Sequence, residues 1–358
     1  MGRRRNTNTA KVPEMNTLIR MRGGFRLILT LLLLIVSRGV SAQSLTSADE
    51  STPPVKDPLS AAGEGSTAAP GPSAYLSLAA QNQQLTDLTL GNFFSAGWDE
   101  DFAMRSRATG TPDLPLLRVQ NNYLLRLARA NFFEETGIAS TTKKNLTDFD
   151  GWIDWGFNRR LQIEVNDTYQ WIDPRTGSPT ASGGAPGLAA RVQLIDTESS
   201  ALCFNFKAVA PNVPLGTTQT TLTYGLAGFE DLSYCLPLDR VGLYYSFAFD
   251  SYCGPAAATA KNTDIQYDIS IAKTLTDPKA PIGMLTLFLE NFAQTDIDDS
   301  EAGRTLVTIT PGLRFNFGNV CQCAKMGLTN AVIFGTDIPV SEYRPWAAIY
   351  RLSYIKCF

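Results

Sequence analysis

The side chains in this sequence that could do chemistry are carboxylates, guanidiniums, hydroxyls and six cysteines; histidine is absent. Without imidazole there is no Ser-His hydrolase, no His-assisted membrane protease or phospholipase and no His-ligated metal. Carboxylate-only catalysis needs a paired acidic motif, and none stands out. The expectation is therefore no catalysis, no cofactor and no metal. The cysteines are Cys203, Cys235, Cys253, Cys321, Cys323 and Cys357. Cys321 and Cys323 offer two thiols and no further ligands, too few for a structural zinc site. In an oxidising compartment one of them could instead bridge to Cys357.

The charged residues have a more telling pattern. Arg118, Arg126, Arg191, Lys207, Arg314 and Arg351 on one side of the ledger, and Asp154, Glu164, Asp250, Asp268, Glu290 and Asp337 on the other, recur inside otherwise apolar stretches. Gln162, Glu164, Asn166, Thr168 and Gln170 alternate with Leu161, Ile163, Val165, Tyr169 and Trp171. Asp264, Gln266, Asp268 and Ser270 alternate with Ile265, Tyr267, Ile269 and Ile271. A period of two means strands with one polar and one apolar face. These runs are as long as a tilted strand that crosses a bilayer. If they close into a cylinder, the charges become lumen-lining groups. Opposed rows would then set up a transverse field acting on solutes; alternatively the charges pair and simply fill the interior.

Provisional strands begin near Leu116, Phe149, Leu161, Leu188, Ser200, Thr217, Val241, Asn262, Gly283, Arg304, Leu328 and Trp346. The fold class read from this pattern is all-β, a closed antiparallel transmembrane β-barrel of about 12 strands over residues 114–358. Its closing strand puts Trp346, Tyr350, Leu352, Tyr354 and Phe358 on one face and Arg351 and Ser353 on the other. A last strand with an aromatic, apolar face and an aromatic terminus fits a lipid-facing barrel wall. Tyr350, Leu352, Tyr354 and Phe358 are accordingly read as the signal recognised by barrel-assembly machinery. Every second connection should be short if both barrel ends of the chain lie in the periplasm. The turn at Asn158-Arg159 and that at Asp196-Thr197-Glu198 are; Gly318 to Gly327 is long for its place.

Upstream of the strands, residues 1–42 read as a secretory signal, with Met15 or Met21 as alternative starts. Arg20, Arg22 and Arg26 are basic, Leu27 to Val36 is apolar but too short to span a bilayer, and Val40-Ser41-Ala42 invites cleavage between Ala42 and Gln43. Removing it leaves 23 basic and 33 acidic residues, a net charge of −10, which argues against nucleic acid as a partner. Residues 43–73 are Ser-, Thr-, Pro-, Ala- and Gly-rich, a tail that cannot bury enough surface to order itself. Residues 74–113 read as a short helix over Ala74 to Leu90 followed by a loop. In that loop Phe93, Phe94 and Trp98 either enter the lumen as a plug or gate, or pack beneath the barrel as a cap.

Several stretches resemble one family. Thr310-Pro311-Gly312-Leu313-Arg314-Phe315, Phe334-Gly335-Thr336-Asp337-Ile338-Pro339-Val340 and Arg344-Pro345-Trp346 are similar to the carboxy-terminal half of the MetA-pathway phenol-degradation family of outer-membrane transporters. Asn92-Phe93-Phe94 with Gly97-Trp98 resembles its amino-terminal motif. Cys321-Gln322-Cys323 is an insertion that family does not require. The resemblance implies a barrel in the outer membrane of a Gram-negative-type bacterium, with the lipid bilayer and a small-molecule solute as partners. It also implies passive or facilitated diffusion of small solutes, apolar or aromatic ones among them; phenol itself does not carry over. The alternative is a structural barrel or surface anchor with no conducting lumen.

Overall fold

The fold follows from the alternation: each run of period two becomes a strand whose polar side chains face inward. In a computed structural model of the chain the strands are β1 (Arg126–Thr136), β2 (Lys143–Gly156), β3 (Leu161–Pro174), β4 (Thr180–Gly183), β5 (Gly187–Asp196), β6 (Ser200–Val209), β7 (Thr220–Asp231), β8 (Val241–Cys253), β9 (Thr263–Thr274), β10 (Met284–Asp298), β11 (Thr305–Asn316), β12 (Asn330–Pro339) and β13 (Ala348–Cys357). The structure describes residues 85–358 except 104, 106–115, 120–121, 140–142, 212–218, 235, 255–262, 277–283, 299–301, 318–329 and 358. The expectations for residues 1–84, with Ala42, Gln43 and the cleavage site, and for Cys235, Cys321, Cys323 and Phe358 lie outside the described residues.

Each strand pairs antiparallel with its neighbour, and β1 pairs with β13 from Leu127↔Cys357 to Thr136↔Ala348, so the sheet closes on itself. Closure leaves no free edge, the condition for a sheet in lipid. β4 is no separate stave. It pairs with the upper part of β3, and β5 with the lower part, so β4 and β5 form one stave interrupted at residues 184–186. There Gly184 has φ +87° and donates to Thr168 O at 3.1 Å. The barrel therefore has twelve staves, matching the number expected from the alternation.

The outer wall is apolar. Ile153, Val165, Leu188, Phe206, Ile271, Leu289, Phe334 and Leu352 are all exposed. Tyr350, Leu352 and Tyr354 share the outward face of β13, while Arg351, Ser353, Ile355 and Cys357 face inward. An apolar belt running round the whole molecule far exceeds the few hundred Å² that water tolerates in one patch, so its solvent is lipid.

The first strand differs from the expectation. β1 begins at Arg126, not near Leu116, and Leu116, Leu117, Val119, Tyr123, Leu124 and Leu125 are all buried without belonging to a stave. The reason is visible in their order: adjacent pairs, Leu116-Leu117 and Leu124-Leu125, are apolar on both parities, which suits a segment surrounded by protein rather than a wall with a wet side. β2 also starts earlier, at Lys143, so the first hairpin connection is 137–142 and not the long loop expected between Phe132 and Asp148. No helix forms over residues 85–90; Leu88 makes a strand-like bridge to Asp196 instead. Connection lengths do not separate the two ends of the barrel. At the end holding the start of β1 and the finish of β13 (the terminal end), the turns at 157–160 and 197–199 are tight but those at 232–240 and 317–329 are long.

A lumen closed by its own chain

Inward positions follow strand parity, and at the terminal end they include an apolar group set among polar ones such as Gln162, Gln193, Thr286 and Asn316. Leu127, Phe229, Tyr244, Ala272, Phe288, Ala331, Ile333, Ile355 and Cys357 form a buried cluster with Leu116, Leu117, Val119, Tyr123 and Leu125. Residues 116–119 and 122–125 thus supply the centre of an apolar core inside the staves. Two facing glycines make room for it. Gly312 and Gly335 are paired in register. A Cβ on Gly335 would meet Leu117 Cδ1, and one on Gly312 would meet the Phe288 ring.

Apart from one backbone bond at its end, from Gly156 N–H of β2 to Leu125 O at 3.1 Å, the segment is held to the wall by side chains. Glu290 of β10 is fully buried, and its Oε1 accepts the backbone N–H groups of Arg118 at 3.0 Å and Val119 at 3.1 Å. The Arg118 guanidinium pairs with Asp337 of β12, lies 3.4 Å from Thr308 Oγ1 and stacks 3.9 Å from the centre of the Phe292 ring. Asp337 in turn accepts from Thr310 at 2.6 Å and Arg351 at 2.7 Å. Asn122 Nδ2 donates to Gly228 O at 2.9 Å, and the Leu125 N–H donates to Gln162. The anchoring points lie on β3, β7, β10 and β12, so the segment crosses the cylinder from side to side.

The expected lumen charges pair with each other more than they face a void. Arg191 binds Asp154 at 2.9 Å and also Glu164, which takes Lys207 Nζ at 3.3 Å. Arg129, missed in the sequence reading, packs 4.7 Å from the centre of the Trp152 ring and donates to Ser353 and Asn131. Asp250 accepts from Thr223 and Gln266. Asp268 and Arg314 are buried and inward-facing. Arg126 is the exception. It stands on the outward parity of β1 opposite Trp155, lodged against Phe102 and Trp155 and donating to Gly156 O at 2.9 Å. Beyond the segment 116–125, away from the terminal end, the wall turns polar and acidic, with Glu135, Asp148, Asp150, Asp250, Asp264 and Asp296 on inward positions.

Residues 85–103 and Arg105 form a second, outer layer. Phe93 meets Phe94 and Trp98 edge-on at 5.0 and 5.6 Å, and Trp98 Nε1 donates to Phe93 O at 2.6 Å. Phe94 is 93% exposed. These rings sit against the β2–β3 turn, where Arg160 lies 5.0 Å from the Phe93 ring centre and Asn158 donates to Trp98 O at 2.8 Å. This is the cap arrangement; the element that enters the lumen is 116–125. Three arginines fasten the cap. Fully buried Arg160 donates to the carbonyls of Ala96, Gln193 and Leu194 at 2.9–3.0 Å. Arg159 pairs with Glu100 at 2.6 Å and donates to Thr86 O, and Arg105 reaches Leu85 O, Thr86 O and Asp87. Burial raises the Glu100 pKa, but the hydrogen bond and charge of Arg159, the Gly97 N–H and the charge of Arg160 outweigh it and hold the carboxyl below its ordinary value. The sequence showed a tight turn at Asn158-Arg159 but not the role of Arg159 and Arg160 in binding carbonyls.

A twelve-stave closed cylinder with an apolar exterior, paired charges on its inward face and no free edge is an outer-membrane β-barrel in a lipid bilayer. No protein-family model matches the sequence, and no curated protein is detectably similar to it. Among solved structures, the chain is similar to an outer membrane channel from Pseudomonas putida F1 (12% identity, 72% of this chain and 100% of that one, TM-score 0.44). It is also similar to the NanC porin (5%, 65% and 98%, TM-score 0.41) and to the β domain of the Bordetella autotransporter BrkA (8%, 65% and 99%, TM-score 0.42).

Proposed function

We propose that the protein is a channel for small solutes across the outer membrane, related to the MetA-pathway phenol-degradation family and closed at rest by residues 116–125. The observation that carries this reading is the nature of the closure. The wall is a continuous ladder of backbone bonds, whereas the obstruction is an irregular segment tied to it, before its last residue Leu125 joins β2 through Gly156 N–H, through side chains of Glu290, Asp337, Gln162 and Asn122. Such ties can be broken without opening the barrel. Twelve staves enclose more space than wall side chains fill on their own, and the chain fills one half with an inserted segment. The other half is lined by carboxylates, amides and hydroxyls suited to water and polar solutes.

In this reading the end with the cap faces the periplasm, residues 1–42 are the export signal, and Tyr350, Leu352, Tyr354 and Phe358 engage the assembly machinery. The test is conductance in planar bilayers together with swelling of liposomes by sugars and aromatic solutes. The mature chain should open intermittently, and a chain starting at residue 122 should conduct continuously. If the shortened barrel folds and conducts no more than the full one, the channel reading is wrong. A second reading, a structural barrel whose lumen is only a core, is favoured by the apolar cluster around Leu116, Leu125 and Phe229; it requires that no solute enter in either form.

A further inference from the structure

The surroundings of Arg118 are more elaborate than an anchor needs. Its guanidinium stacks on Phe292, touches Thr308 Oγ1 and pairs with Asp337, all groups of the wall. Asp268 and Glu290 add two more carboxylates within electrostatic reach. Asp268 is 4% exposed and Glu290 is fully buried. Asp268 Oδ1 and Glu290 Oε2 accept no hydrogen bond among the described residues. Three carboxylates thus face two guanidiniums, Arg118 and Arg351, and Arg351 belongs to the wall on β13. Arg129 also lies in electrostatic reach of Glu290 but is committed to Ser353, Asn131 and Trp152. Take Arg118 away and the wall presents a ring face, a hydroxyl and a surplus of negative charge, two of whose oxygens lack donors. Burying that surplus unpaired is costly, and the carboxyls relieve it either by taking up protons or by pairing with a cation that enters the pocket. The flat ring selects a planar one that can stack and donate in a fork.

We propose that Asp268, Glu290, Phe292, Thr308 and Asp337 form a binding site for solutes bearing a guanidinium group, and that Arg118 is its resident occupant in the closed barrel. A guanidinium solute arriving through the acidic half of the lumen competes with Arg118 and loosens the segment that carries it. The site stands on its own geometry; its role as a trigger rests on the channel reading above.

The test is calorimetric titration of the folded, detergent-solubilised chain with ethylguanidinium and, separately, ethylammonium at equal ionic strength. Arg118→Ala should bind ethylguanidinium about tenfold more tightly than ethylammonium, the margin stacking and forked donation provide. The unaltered chain should bind ethylguanidinium about tenfold or more weakly than Arg118→Ala, because the resident arginine must first be displaced, and adding Asp337→Asn to Arg118→Ala should abolish the preference. Equal binding of the two cations, binding to the unaltered chain as tight as to Arg118→Ala, or indifference to Asp337→Asn overturns the proposal. If Arg118→Ala alone does not reach the heat-modifiable folded form, refolding is repeated with each cation. Recovery with ethylguanidinium but not ethylammonium supports the site, and recovery with neither overturns it. Binding without any effect of ethylguanidinium on open-channel fraction rejects the trigger and leaves the site; conduction without binding rejects the site and leaves the channel.

Discussion

Glu290→Ala should unfasten the lumenal segment while leaving the barrel intact. The Glu290 carboxylate is fully buried and accepts two backbone N–H groups, from Arg118 at 3.0 Å and Val119 at 3.1 Å. Hydrogen bonds to a charged acceptor contribute about 1.5–3 kcal/mol each, and orphaned buried donors cost a comparable amount. Two such bonds at the lower end give about 3 kcal/mol, a shift of roughly a hundredfold in the ratio of docked to undocked segment. Relief of repulsion with Asp268 and Asp337 opposes the loss, while the lost attraction to the Arg118 guanidinium adds to it. Glu290→Gln keeps an acceptor at the same place and forfeits only the charge, so its effect should be near 1 kcal/mol, or about fivefold. Planar-bilayer recordings measure the open fraction, and limited proteolysis of the same protein in detergent measures exposure of residues 116–125. Both should rank the alanine variant above glutamine and glutamine above the unaltered chain, with heat-modifiable migration unchanged. An alanine variant indistinguishable from the unaltered chain in both assays, or a glutamine variant more open than alanine, refutes the idea that these two bonds hold the segment.

Other perturbations separate wall, cap and lumen. Ile269→Arg places a charge on the outward face midway along β9 and should cost about 2–4 kcal/mol of folding stability, read from urea unfolding in liposomes; no loss would mean that this face does not meet lipid. Gly97→Val should detach the cap. Gly97 has φ +84°, and a Cβ there would come within 2.9 Å of Leu88 Cδ2 and 3.0 Å of Arg160 Cγ, so strain of about 1–3 kcal/mol is expected and trypsin should cleave at Arg105 sooner; unchanged cleavage argues against the docking. Glu100 has a depressed folded pKa, so its tie to Arg159 is present above the unfolded value and is lost as pH falls through the folded one. Cap protection from an acid-active protease should therefore weaken below the ordinary carboxylate range, and Glu100→Gln should remove that pH dependence. A parallel pH profile in the variant would assign the effect elsewhere.

The period-two signal made the wall legible because it reports a physical boundary, lipid on one side and polar lumen on the other. The onset of β3 at Leu161, β6 at Ser200 and β8 at Val241 agrees with the sequence reading to the residue. The signal failed where that boundary does not exist. Residues 116–119 and 122–125 are surrounded by protein, so they carry no alternation, and a strand expected from near Leu116 came with Arg126 among the lumen charges. The true strand starts at Arg126, and its inward set is Leu127, Arg129 and Asn131. A one-residue phase error turns every side chain to the other face. It also hid Arg129, which is buried against Trp152 and Ser353. Partner choice was beyond reach for another reason. Arg118 and Asp337 are 219 positions apart, and no local pattern names which of the inward carboxylates an inserted arginine will meet. Aromatic residues lie on both faces: Tyr350 and Tyr354 point outward as expected, whereas Phe229, Tyr244, Phe288 and Phe292 face inward; hydropathy cannot tell a lipid-facing ring from one in a lumenal core.

The charge inventory ties these parts together. The inward face carries more carboxylates than the wall arginines and Lys207 can neutralise, and a dozen staves alone would leave Glu290 and Asp337 in a wide, wet lumen. The chain answers with Arg118 and two backbone N–H groups, which are donors rather than acceptors, carried on a segment whose leucines fill the space between. Closing the lumen and satisfying its acids are therefore one event. Anything that opens the barrel must supply other donors to Glu290 and Asp337, which water does for free solution and a guanidinium does within the pocket. That requirement links the apolar core at one end to the acidic mouth at the other. It also predicts that substitutions at Leu117 and at Asp337, on the segment and on the wall, should raise the open fraction non-additively, since each breaks the same docked state. A double variant whose effect is the plain product of the two singles would show instead that core packing and charge pairing are independent locks.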